Sequence, residues 1–119
     1  MTMLAKMLSK ITGSKLWWRA YRARVNRLPE NYRTAVDAIE HYLMHFVPID
    51  SDIAATEFND LADLFERAAA DGTPIRAIVG DNPVEFVEAF AQNYTKGIFV
   101  TDRARERLNA AIDRAVGDA

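Results

Sequence analysis

Two histidines four residues apart, His41 and His45, have the spacing that lets adjacent helical turns offer two imidazoles to one transition metal. A metal site needs three or four positioned ligands, and with Asp37 and Glu40 the nearest acids no third ligand or Glu-x-x-His motif can be identified. The apolar positions Ile39, Leu43 and Phe46 fall on the opposite face, so the pair is expected on the solvated surface. Four acids, Glu57, Asp60, Asp63 and Glu66, step by three along a second segment. A three-residue step turns the helix by about 300°, so the series drifts around it and does not converge on one ion. It is expected to be a wet acidic face, able to meet basic side chains. Asp81-Asn82-Pro83 after Gly80 could present backbone N–H groups to an anion. Proline removes one donor and Asp81 adds negative charge, which favours a plain helix cap. No Gly-Lys-Ser/Thr or nucleophile-elbow pattern is present, and Ser9, Ser14 and Ser51 have no triad context. The chain is therefore expected to be non-enzymatic, with no cofactor and no metal.

The absence of cysteine rules out disulfides, thiolate metal sites and cysteine nucleophiles, and fits a reducing compartment. Neither a signal-peptide apolar core with a cleavage site nor an apolar run of about 20 residues appears, so a cytoplasmic location is expected. The net charge of −2 conceals a division of the chain. Residues 1–33 carry +7, and the remaining 86 carry −9. A basic arm on an acidic body can contact nucleic acid, an anionic membrane, another protein, its own body or a second copy.

The elements that must position these groups follow from apolar spacing. Met3, Met7 and Ile11, then Trp18, Tyr21, Val25 and Leu28, form one helical stripe, widened by Leu4, Leu8 and Trp17 and interrupted at Gly13-Ser14. Pro29 ends this unit and suits the first turn of the next. A second helix over about 29–46 buries Tyr32, Val36, Ile39, Leu43 and Phe46 and stops at Val47-Pro48. Asp50 or Ser51 caps a third, with Ala54, Phe58, Leu61, Phe65 and Ala68 inward and Gly72 as a left-handed C-terminal cap. Thr73 is expected to cap a short helix with Pro74 at its first helical position and Gly80 at its end. Asn82 caps a fifth, with Glu85 placed to return a capping bond, and this helix carries Val87, Phe90 and Tyr94. After the staple-like run Ile98-Phe99-Val100, Thr101 caps a last helix with Ala104, Leu108, Ala111, Ile112 and Ala115 inward. With 5 Gly, 4 Pro and no strand alternation, the expectation is one all-α domain over 1–119, a compact bundle of about five or six helices with a long basic amphipathic N-terminal helix.

The order Trp17-Trp18-Arg19, Arg24-Val25, Leu28-Pro29-Glu30, Tyr32-Arg33, Leu64-Phe65-Glu66 and Ala69-Ala70-Asp71-Gly72 resembles the bacterial family catalogued as domain of unknown function 1048. Ile78-Val79-Gly80-Asp81-Asn82-Pro83 with Phe86-Val87, and Arg105-Glu106-Arg107-Leu108-Asn109, extend the resemblance over nearly the whole chain. It implies an all-α cytoplasmic protein, often encoded beside PadR-type regulators, with no catalytic residues to carry over.

The surface singled out for function is the basic N-terminal helix: Lys6, Lys10, Lys15, Arg19, Arg22, Arg24 and Arg27 with Trp17 and Trp18. Its apolar stripe is expected to pack on the bundle or on a partner. The expected role is a protein-interaction or regulatory module, with an unidentified protein partner such as a transcriptional regulator and a homodimer as the accompanying assembly. The alternative is binding to nucleic acid or an anionic membrane through the same cations and tryptophans.

Overall fold

The computed structural model describes residues 16–46, 50–94 and 101–117. Among these it is an all-α bundle of six α-helices and one 3-10 turn, without strands. The first, α1, is described over residues 16–26. It is followed by α2 (Glu30–Leu43), a 3-10 turn (Met44–Phe46), α3 (Ser51–Asp71), α4 (Ile75–Val79), α5 (Pro83–Gln92) and α6 (Asp102–Gly117). The expected Met3–Ile11 stripe, the Gly13-Ser14 break, the Val47-Pro48 stop and the Ile98-Phe99-Val100 run lie outside the described residues.

Local chemistry sets the helix ends. Asp50 Oδ1 accepts from the N–H groups of Asp52 at 2.8 Å and Ile53 at 3.2 Å, satisfying donors that α3 cannot pair internally. Gly72, at φ 70° and ψ 23°, closes α3 in the left-handed conformation and lets Thr73 N–H reach the Ala68 carbonyl at 2.8 Å. Asn82 Oδ1 accepts from Glu85 N–H at 3.2 Å, and Thr101 Oγ1 from Ala104 N–H at 3.2 Å. The expected reciprocal bond from Glu85 is not made, and Pro74 sits one place earlier than expected, as the N-cap of α4. The second helix is α-helical only to Leu43, its last turn tightening into the 3-10 form.

The inward stripes of the described residues meet in one core; the expected burial of Phe46 lies outside what is described. Tyr21 and Val25 of α1, Val36, Ile39 and Leu43 of α2, Phe58, Leu61 and Phe65 of α3, Val87 of α5, and Leu108 and Ile112 of α6 are buried together. Each such side chain contributes about 1.5–3 kcal/mol by leaving water. Two arrangements matter for function. The Leu28-Pro29 corner folds α1 back on α2, and α1 lies across α3, with Trp17 near Ser51 and Arg24 near Glu66. Among α2–α6, the largest contact is between α2 and α6.

Candidate functional site

The inward direction of α1 is set by Trp18, Tyr21, Val25 and Leu28. At 100° per residue, Arg22 and Arg24 fall about 80° to either side of that stripe, while Arg19 and Arg27 point about 140° away. The two flanking arginines are consequently aimed at the neighbouring helices. Arg22 Nη1 donates to Asp37 Oδ1 at 2.8 Å and to Glu40 Oε2 at 2.5 Å on α2. Arg24 reaches α3, with Nε on Glu66 Oε2 at 3.1 Å, Nη2 on Glu66 Oε1 at 2.6 Å, Nη1 on Asn59 Oδ1 at 2.9 Å, and an ion pair to Asp63. The hydrogen bond to Glu66 is the chief cause that holds the Arg24 pKa above its ordinary value. Arg19 and Arg27 are exposed.

The two tryptophans are drawn inward rather than displayed. Trp17 stacks near Phe58 at a centroid distance of 6.0 Å, and Trp18 meets Phe58 edge-on at 5.4 Å and Tyr21 at 5.3 Å. Trp17 Nε1 donates to Ser51 Oγ at 3.4 Å. Of the nine residues singled out in the sequence, then, Arg22, Arg24, Trp17 and Trp18 are engaged with the body, Arg19 and Arg27 face solvent, and Lys6, Lys10 and Lys15 lie outside the described residues. The end of the bundle where α1 begins exposes large apolar side chains: Leu16 at 59%, Met44 at 47% and Ile53 at 41%.

Beneath the Arg22 pair, Glu40 is buried and also accepts from the Tyr21 hydroxyl at 3.4 Å. Burial raises the Glu40 pKa, and Arg22 opposes that rise. The same burial, with the Glu40 charge, pushes the Tyr21 phenol well above its usual range.

Glu57 corrects the expectation of a wet acidic series. Asp60, Asp63 and Glu66 do lie on the outer side of α3, where Asp60 accepts from Tyr94 at 2.6 Å and the other two hold Arg24. Glu57, by contrast, is fully buried and neither of its oxygens has a hydrogen-bond partner. Desolvation pushes its pKa up to about 7. The signal was present in the spacing, because Ala54, Glu57, Phe58 and Leu61 follow the three-and-four rhythm of an inward stripe.

A second surface was not singled out in the sequence. Between α2 and α6 runs a groove of about 340 Å³. Ala38, Ala104, Leu108 and Ala111 contribute apolar, mostly small side chains to it, leaving the space open. His41 borders it from α2 and His45 from the 3-10 turn, and Arg107 and Arg114 from α6. Both histidines are exposed, as their position opposite the core stripe requires. Arg107 Nη1 lies 3.3 Å from His41 Nε2, which accepts when the imidazole is neutral and protonated on Nδ1. No group of three or more His, Cys, Asp or Glu side chains able to hold a metal occurs among the described residues. No described helix is long and apolar enough to cross a membrane.

These features define a small all-α protein whose basic first helix is clamped to an acidic body. Its family follows from a match over residues 9–113 to the model described as Protein of unknown function (DUF1048), and the chain belongs to that family. No curated protein matches it, and neither does any solved structure.

Proposed function

We propose that the chain is a non-enzymatic protein-interaction module, with a regulatory role, that docks a protein partner through the end of the bundle where α1 begins. The observation that carries this reading is the exposure of Leu16, Met44 and Ile53 at that end. Three large apolar side chains left in water at the ends of adjacent helices favour a partner that covers them. The sequence entering this end, residues 1–15, is itself amphipathic and basic, with Met3, Leu4, Met7, Leu8 and Ile11 among Lys6, Lys10 and Lys15.

A protein partner is favoured over nucleic acid by the state of the arginines. Phosphate binding gains from each cation that releases counterions, and Arg22 and Arg24 are already neutralised by four carboxylates of the same chain. The partner suggested by the family resemblance is a transcriptional regulator in the cytoplasm; a second copy of this chain is the other protein that this end could accept.

The test uses the intact chain, a deletion of Met1–Gly13 and the pair Leu16→Ser with Ile53→Ser, each mixed with a neighbouring regulator and analysed by light scattering, with nuclease present. Complex or homodimer formation by the intact chain, lost in both variants, supports the proposal. Equal assembly by all three, or binding only to nucleic acid at low salt, refutes it.

A further inference from the structure

The groove between α2 and α6 is lined by none of Leu16, Met44 and Ile53 and carries an inference of its own. It runs from Thr34 on α2 to His45 in the 3-10 turn, and along α6 from Ala104 to Arg114. At 1.5 Å per residue this is roughly 15 Å of length. Its volume of about 340 Å³ spread over that length makes it long and narrow. A single extended hydrocarbon chain fits it.

The charge of the border selects the head of such a chain. Among the described residues no carboxylate pairs with Arg107 or Arg114. Asp37, the acid that also borders the groove, is already held by Arg22 at 2.8 Å. The remaining polar border is His41, His45, Thr34 and Tyr42, whose hydroxyl donates to Glu88 at 2.7 Å, so the groove presents cations without a carboxylate partner above an apolar floor within a chain of net negative charge. Its volume lies at the lower end of the range typical of small-molecule sites. The chain's own N-terminal segment is a poor occupant, because Lys6, Lys10 and Lys15 would bring like charge to Arg107 and Arg114.

We propose that this groove binds an amphiphilic carboxylate, a single aliphatic chain lying along Ala38, Leu108 and Ala111 with its head on Arg107 beside His41. The Arg107 guanidinium has donors to spare beyond its contact with His41, and a carboxylate is a stronger acceptor for them than an imidazole. Arg114, two turns along α6, lies toward the far end of the groove from that head.

The experiment titrates the isotope-labelled full chain with decanoate below its micelle concentration and follows backbone amides by two-dimensional NMR. Decyltrimethylammonium and an acidic amphipathic helical peptide serve as comparison probes. The expected result is a saturable shift confined to residues 34–45 and 104–114, given by decanoate alone and weakened about tenfold in Arg107→Gln, an exposed position whose replacement leaves the core intact. Ala38→Leu, which fills the floor, is expected to weaken it as well while Arg107 remains. Absence of a saturable shift, equal binding of the cationic amphiphile, shifts centred on Leu16 and Ile53, indifference to Arg107→Gln, or a response to the peptide alone would each overturn the proposal.

Discussion

Arg24 grips the Glu66 carboxylate by two parallel hydrogen bonds, Nε to Oε2 at 3.1 Å and Nη2 to Oε1 at 2.6 Å, across 42 positions of sequence. This two-point geometry fixes α1 against α3 more firmly than an ordinary surface pair, although Glu66 remains partly open to water. A double-mutant cycle with Arg24→Gln and Glu66→Gln is expected to give a coupling of about 1 kcal/mol, decreasing as salt is added. Urea unfolding of the four proteins measures it; zero coupling at low salt would mean that the stripe of Tyr21 and Val25 alone holds the helix in place.

Glu57 makes the protein respond to pH through its interior. Its pKa rises from an ordinary 4.5 to about 7 on burial, so between those values the folded chain keeps a proton that the unfolded chain has released. Stability from this group is full below pH 4.5, falls as the pH rises toward 7, and is then constant at its lower value. The loss is about 3 kcal/mol at most. Glu57→Gln is expected to abolish this slope in unfolding curves taken across the window. A wild-type curve parallel to that of the variant would show that the carboxyl reaches water.

Tyr32 ties the start of α2 to the turn after α3, its hydroxyl donating to the Thr73 carbonyl at 2.5 Å. Tyr32→Phe keeps the ring in the core and removes only this donor. The expected cost is about 1–2 kcal/mol, the usual penalty for leaving a partly buried carbonyl without its partner. Thermal unfolding of the variant reads it directly.

At Gly72 the backbone alone decides. A Cβ built there would meet nothing within 4 Å, yet φ is +70°. Gly72→Ala is therefore expected to destabilise by about 1 kcal/mol through conformation rather than collision. Gly72→Asn, a residue that tolerates the left-handed region better, should recover part of the loss in the same denaturation assay.

The helices and their inward faces were legible because apolar residues at spacings of three and four report directly on burial. Tyr21, Val36, Phe58, Leu61 and Leu108 all lie where that rhythm puts them. Cap residues were legible for a similarly local reason, as at Asp50, Asn82 and Thr101, since the side chain that caps is adjacent to the turn it caps. Pairings between helices were not. That Arg22 faces α2 and Arg24 faces α3 depends on which helices flank α1, and no local pattern states that. Glu57 was obscured by its fellow acids, whose regular step suggested a common environment that the helix phase does not give them. The groove was hidden for another reason: Ala38 and Ala111 create it by what their side chains lack, and only the approach of α6 to α2 turns small residues into a space.

The aromatic cluster of α1 also gives the molecule a built-in optical reporter. Both tryptophans of the chain stand at the junction of α1 with α3, within 6.0 Å of the Phe58 ring centroid, and α4, α5 and α6 contain none. Tryptophan emission, excited beyond the tyrosine absorption band, therefore watches one helix junction: it will register the lifting of α1 from the body, whether by a partner, by salt or by denaturant, while rearrangements around Phe90 or Ile112, on helices without tryptophan, pass in the dark.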